Sequence, residues 1–255
     1  MNAIVSLEAG ALPQQHPGTH YNEVIARLSA LRNVKRYLEV GVQRGITFSG
    51  VKAEIAFGVD PEFIVNANVA ANKKQTRLFQ MTSDEFFRDV DVVAEFGGHP
   101  DMCFLDGMHL FEYLLRDFYN TERISSRNTL ICLHDCLPLN HIMAHRSMDF
   151  ANQNSAHTAY PGWWTGDVWK IVPILQKYRP DLRVMLVDAP PTGLVFVTNL
   201  DPQNTVLRDN YLDIVRDYFT QPNDQEAIID HYRSNNVFQT DAVLADMNHS
   251  LFFNT

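Results

Sequence analysis

Two short motifs pair carboxylate with imidazole: Phe104-Leu105-Asp106-Gly107-Met108-His109 and Leu130-Ile131-Cys132-Leu133-His134-Asp135. Each closes an apolar run of strand length, and a residue that ends a parallel strand projects into the crevice above the sheet. Adjacent strand ends would bring Asp106, His134 and Asp135 to one point, where they could offer oxygen and imidazole ligands to one divalent cation. His109, three residues beyond Asp106 at the mouth of the next helix, is then placed to take a proton from a hydroxyl. A plainer role stays open for each residue. A lone histidine is commonly a structural hydrogen-bonder, and an aspartate after a strand commonly caps a helix.

A third motif lies upstream, at Tyr37-Leu38-Glu39-Val40-Gly41-Val42-Gln43-Arg44-Gly45, followed by a second apolar run closing on Val59-Asp60-Pro61. An apolar strand, a glycine turn, a helix and a strand ending in a carboxylate form one βαβ nucleotide-binding half, which points to adenosine. A dinucleotide site wants glycine where Gln43 stands, because backbone must closely approach a pyrophosphate there. Gln43 therefore argues against a nicotinamide dinucleotide. An ordinary βα turn is the open alternative.

These motifs need elements to hold them. Val24, Ile25, Leu28 and Leu31 fall at helical spacing in Tyr21–Leu31, ahead of a strand over Arg36–Val40. Further apolar runs follow at Ile55–Val59, Arg77–Gln80, Met102–Leu105, Thr129–Leu133, Arg183–Val187 and Leu194–Val197, with helix-like segments between most of them. Alternation of this kind implies right-handed crossovers and a mainly parallel α/β sheet of seven strands. The link Asp188-Ala189-Pro190-Pro191-Thr192-Gly193 is too short for a helical crossover, so the last strand should be antiparallel. Residues 1–18 read as a flexible leader, 19–199 as the cofactor-binding domain with a substrate lid at 139–166, and 200–255 as a helical appendage. In that appendage Leu207, Tyr211, Leu212, Val215 and Phe219 form one plausible apolar stripe, which makes a homodimer an expectation.

Composition excludes several classes. With 255 residues, 45% of them hydrophobic, the chain can bury one substantial core. A net charge of −9 disfavours nucleic acid and anionic membrane surfaces as partners, since both want a basic face. No segment is apolar for long enough to span a bilayer. Cys103, Cys132 and Cys136 are odd in number, and two lie in apolar runs, which fits a reducing, cytoplasmic compartment.

The glycine motif resembles motif I of class I S-adenosylmethionine-dependent methyltransferases, with Gln43 departing at the middle glycine. The Asp-Gly-x-His and His-Asp strand ends resemble, within that family, the O-methyltransferases that act on sugars in natural-product pathways. The resemblance runs over roughly residues 20–200 and implies a Rossmann-like fold. It also implies that Glu39, Gly41, Gly45, Asp60 and Asp106 bind S-adenosylmethionine, with Asp60 on the ribose hydroxyls and Ser83 and Asp84 near adenine. By position, Asp106 and Asp135 would hold Mg2+ and His109 would act as the base. His134 stands where those enzymes have glutamate, so either the cation differs or His134 and Asp135 form a metal-free polar pair. Ser83 and Asp84 have an alternative role in capping a helix that begins at Glu85.

All three tryptophans fall in Pro161–Lys170, where Trp163 and Trp164 suit the apolar face of a sugar or planar ring, while Trp169 is expected in the core. The expectation is methyl transfer to a hydroxyl of a small-molecule acceptor such as a sugar or glycoside. The competing readings are an adenosine-cofactor oxidoreductase and a non-catalytic cofactor-binding or scaffolding protein.

Overall fold

In the computed structural model, which describes residues 12–245, α1 (Tyr21–Leu31) buries Val24, Ile25 and Leu28 against the sheet. β1 (Arg36–Val40) follows, then a turn ending in the left-handed Gly45 and the single-turn α2 (Ile46–Gly50). β2 (Ala53–Asp60) crosses to β3 (Lys73–Gln80) through residues 61–72, which contain no helix. α3 (Ser83–Asp89) is closed by a capping box in which Thr82 and Glu85 satisfy each other's backbone amides. The helix thus starts two residues before the expected Glu85, and its cap is Thr82 rather than Ser83 or Asp84. α4 (Val92–Phe96) and β4 (Met102–Leu105) precede the long amphipathic α5 (Phe111–Ile124) and β5 (Leu130–His134).

The next stretch carries α6 (Met148–Asn154) and a 3-10 turn at Val168–Lys170, which runs into α7 (Ile171–Tyr178). β6 (Arg183–Val187) and β7 (Leu194–Thr198) pair antiparallel across the short link, as its length requires. α8 (Val206–Asp209), α9 (Tyr211–Phe219), α10 (Gln225–Arg233), β8 (Val237–Phe238) and α11 (Thr240–Leu244) complete the described chain.

The strand order is β3-β2-β1-β4-β5-β7-β6-β8, and β7 alone runs against the others. The sheet therefore has eight strands where seven were expected. The eighth is a two-residue addition, Val237 and Phe238 opposite Leu186 and Val187, too short to leave a periodic signal. Successive strands build outward from β1 to β3, then from β4 to β5 on the other side, so the order reverses between β1 and β4. The carboxyl ends of those two strands form the crevice in which such sheets take ligands.

Period-two alternation sorts side chains onto two cores. Leu38, Val40, Leu105 and Leu133 face α3, α5 and α7, whereas Tyr37, Phe104 and Cys132 face α1 and α11. Trp169 is buried as expected. The apolar stripe of the appendage differs from its sequence reading, because Asn210 breaks the helix between α8 and α9. Leu207, Ile214 and Tyr218 face the core, while Leu212 is 78% exposed and Phe219 also faces solvent. No helix among the described residues is long and apolar enough to cross a membrane.

Candidate active site

At the end of β1 the backbone turns left-handed at Gly41, Gln43 and Gly45, with φ of 87°, 43° and 76°. A Cβ on Gly41 would lie 1.9 Å from the carbonyl oxygen of Asp106, so only glycine lets the turn pack against the end of β4. The Gln43 amide donates to Asp60 Oδ2 at 2.8 Å, and the Glu62 amide donates to Oδ1 of the same carboxylate at 2.8 Å. Asp60 thereby ties the turn to the end of β2. Glu39, expected at the cofactor, is 1% exposed and accepts from the Tyr37 hydroxyl at 2.6 Å. Burial pushes its carboxyl up to about 8, so it is a buried neutral acid at pH 7.

The β4 and β5 ends bring Asp106, His109, His134 and Asp135 together. His134 continues the alternation of β5 onto the α1 face, where its ring lies 4.0 Å from that of Tyr21. Its Nδ1 is 3.1 Å from Asp106 Oδ1 and 3.4 Å from Asp135 Oδ1. Asp135 steps out of the strand at φ 61° and accepts from the Thr192 hydroxyl at 2.5 Å. The His109 ring meets both carboxylates, Nε2 at 3.6 Å from Asp106 Oδ1 and Nδ1 at 3.2 Å from Asp135 Oδ2. Burial works against a charged His109, but Asp135 and Asp106 overcome it and raise the ring to about 9. Burial likewise opposes ionisation of Asp106, yet His134 and His109 hold its carboxyl well below the usual carboxylate range.

Of the other expected residues, all but Trp164 lie apart from this cluster. Asp84 is exposed and engaged by Arg116 at 2.8 Å. Ser83 bonds to the buried Asp117, whose carboxyl burial pushes up to about 7. Trp163 is 42% exposed and turned toward Tyr160, whereas Trp164 is half-buried and stacks on His109 with centroids 5.1 Å apart.

Sequence reasoning did not single out Tyr21, whose hydroxyl lies near Asp106 and has its ionisation suppressed first by burial and then by that carboxylate. It also missed the charged group formed by Glu112, Arg146, Asp167 and Lys170, in which Arg146 bonds both carboxylates and Lys170 lies 3.3 Å from Asp167. Only Asp167 and Lys170 are near neighbours along the chain; the partners that bring Tyr21 to Asp106 and Arg146 to Glu112 and Asp167 are far away, so no sequence signal marks either one.

No protein-family model and no curated protein matches the chain. Among solved structures it is similar to a putative O-methyltransferase from Klebsiella pneumoniae, at 16% identity over 74% of this chain and 84% of that one, TM-score 0.49. It is also similar to the O-methyltransferase TomG from Streptomyces achromogenes in complex with SAM, at 14% identity over 71% and 79%, TM-score 0.47. A third is an O-methyltransferase from Bacillus cereus in complex with SAH, at 12% identity over 73% and 83%, TM-score 0.41.

Proposed function

We propose that the protein is an S-adenosylmethionine-dependent methyltransferase acting on a hydroxyl oxygen of a small molecule. One observation carries the reading. A left-handed glycine turn presses backbone against backbone on the strand end that bears Asp106, and His109, His134 and Asp135 gather around that carboxylate. Cofactor turn and proton acceptor thus share the crevice at the point where the strand order reverses.

Gly41 and Gly45 let the turn pack closely on the Asp106 backbone and on Val69, and Asp60, while holding the turn, keeps lone pairs for ribose hydroxyls. Ser83 and Asp84 open α3 just past the end of β3 and would serve the adenine. When bound, S-adenosylmethionine supplies a methyl group whose bond to sulfur breaks as the acceptor oxygen attacks, the electron pair staying on sulfur. His109, largely charged at pH 7, takes the proton from that oxygen in its neutral form, whose share grows as pH approaches 9, and Asp106 and Asp135 stabilise the imidazolium that results. Trp163 and Trp164 offer apolar faces to a sugar or planar acceptor.

Asp106, His134 and Asp135 each offer a donor atom within 4.8 Å of the others, so the residues also fit a divalent cation. Two carboxylates with one imidazole suit a transition cation such as Mn2+ better than Mg2+, which demands oxygen. A cation there would lower the pKa of an acceptor hydroxyl that coordinates it.

Calorimetric titration with S-adenosylhomocysteine, in Mn2+, in Mg2+ and with chelator, tests the reading. Binding is expected in all three, with a larger effect of Mn2+ than of Mg2+. Folded protein that binds none of the product removes the proposal. Release of S-adenosylhomocysteine in a screen of sugar, phenol and amine acceptors then identifies the acceptor, and turnover confined to amines would overturn the assignment to oxygen.

A further inference from the structure

The chain between β5 and α7 grips the loop that carries His109. Gly166, at φ 57°, lies so close to that loop that a Cβ would fall 1.6 Å from the His109 carbonyl oxygen. The amides of Thr165 and Gly166 both donate to Met143 O, at 2.9 and 3.2 Å, and the Trp164 indole donates to His145 O at 2.6 Å. One residue on, Asp167 Oδ1 accepts from the Phe111 amide at 3.2 Å. Phe111 opens α5, whose own N-cap Leu110 supplies no side-chain acceptor, so Asp167 serves as the missing cap from 56 residues away. Asp167 is wholly buried, and Arg146 at 2.7 Å and Lys170 at 3.3 Å balance its charge.

This grip has a chemical consequence for the imidazole. His109 Nδ1 faces two groups that can only accept, the Trp164 carbonyl at 2.8 Å and Asp135 Oδ2 at 3.2 Å. Its Nε2 has Asp106 Oδ1 at 3.6 Å, beyond hydrogen-bond reach. The proton that the ring retains when neutral therefore sits on Nδ1, and the nitrogen left with a free lone pair is Nε2.

We propose that residues Trp164 to Asp167 are the positioning element of His109, fixing the tautomer in which Nε2 is the proton acceptor. The proposal rests on the methyltransferase reading only in naming that acceptor a base. The Trp164 carbonyl acts directly, Gly166 permits the approach, and Asp167 anchors the start of α5 behind the ring. Lifting the insertion would free the ring to place its proton on Nε2, where it blocks the reaction. The net worth of one hydrogen bond sets the expected tautomer preference at about tenfold.

Long-range 1H–15N spectra of the full chain, labelled in histidine and saturated with S-adenosylhomocysteine, report which ring nitrogen carries the proton. The His109→Gln spectrum assigns the ring. Above the pH at which His109 becomes neutral, Nδ1 should stay in the protonated range while Nε2 moves to the unprotonated range. Gly166→Ala, which forces the insertion off the His109 carbonyl, should bring the two forms to near-equal population with product affinity within about twofold of wild type. Trp164→Ala removes the stacked ring, keeps the carbonyl and should keep the wild-type tautomer.

A wild-type ring protonated on Nε2 would overturn the proposal, as would a folded Gly166→Ala protein with the wild-type tautomer. Should Gly166→Ala fail to fold, the wild-type spectrum alone decides. Absence of product binding with the proton on Nδ1 sinks the methyltransferase reading and leaves this inference standing.

Discussion

His109 and Glu39 show how one sheet end handles two titratable groups in opposite ways. The imidazole lies between two carboxylates and is pushed up, so its conjugate acid is well stabilised as it accepts a proton. Replacing it by glutamine keeps a polar group of similar reach but removes the base. His109→Gln should lower methyl transfer at saturating cofactor by about 10²- to 10⁴-fold, with product affinity nearly unchanged, as read by single-turnover kinetics and calorimetry. Glu39 is held neutral at pH 7 because burial outweighs the pull of the Lys73 ammonium. Its carboxyl is raised from 4.5 to about 8 in the folded chain, so above pH 4.5 the unfolded state releases a proton that the folded state keeps. The stability it supports is full below pH 4.5 and is lost as pH rises toward 8. Glu39→Gln removes that slope, and denaturant unfolding at pH 5 and pH 8 should show the variant gaining on wild type at the higher pH.

Among the elements, the turn after β1 matters most, because it approaches a neighbouring strand end with no room for a side chain. Gly41→Ala places a methyl against the Asp106 carbonyl at a left-handed φ of 87°, so the turn must move off β4. Product affinity should fall at least about tenfold, while the thermal transition, set by the two cores, drops by only a few degrees. Full affinity in a folded Gly41→Ala protein would show that the cofactor does not use this turn. The capping box of α3 is a different kind of element, local and solvent-facing. It accounts for Thr82 as the cap and leaves Asp84 free to pair with Arg116.

At the scale of the whole molecule, the two ends of the described chain meet beside the loop that follows Asp135. Residues 12–18 were expected as part of a flexible leader, yet His16 is buried and bonds Leu137 O at 3.1 Å. From α10, Tyr232 donates to the same carbonyl at 3.0 Å, and His231 Nε2 bonds Cys136 O at 3.0 Å. The Gly18 amide donates to Asp188 O at 3.2 Å, and the Asp188 side chain accepts from the Thr240 amide at 2.7 Å. Burial against Trp169 and Tyr232 pushes His231 down to about 4, outweighing the hydrogen bond to the Cys136 carbonyl, which raises it. Below pH 6.5 the unfolded chain takes up a proton that the folded chain refuses, so stability falls as pH drops from 6.5 to 4, by about 3 kcal/mol for this residue. His16 is lowered by burial in the same sense. Urea unfolding from pH 7 to 4.5 should show the decline, and His231→Gln should flatten it.

What the sequence determined by itself is what depends on near neighbours along the chain. Strand runs such as Arg36–Val40, Met102–Leu105 and Arg183–Val187 coincide with the observed strands, because apolar periodicity and glycine or proline punctuation act within a few residues. The placement of Asp106, His134 and Asp135 at strand ends follows from the same local signal, and so does the antiparallel β7. Tertiary structure decided what depends on groups distant in sequence. Tyr37 and the core around it made Glu39 a buried acid, Arg116 claimed Asp84, and Asn210 split the appended stripe into helices of different exposure. Tyr21 reached His134, Trp164 and Asp167 reached the His109 loop, and Val237 with Phe238 added an eighth strand. Such partners are chosen by the geometry of the packed sheet and helices, where a carbonyl from residue 164 can come within 2.8 Å of a ring at residue 109. Nothing in the local pattern of either segment encodes that distance.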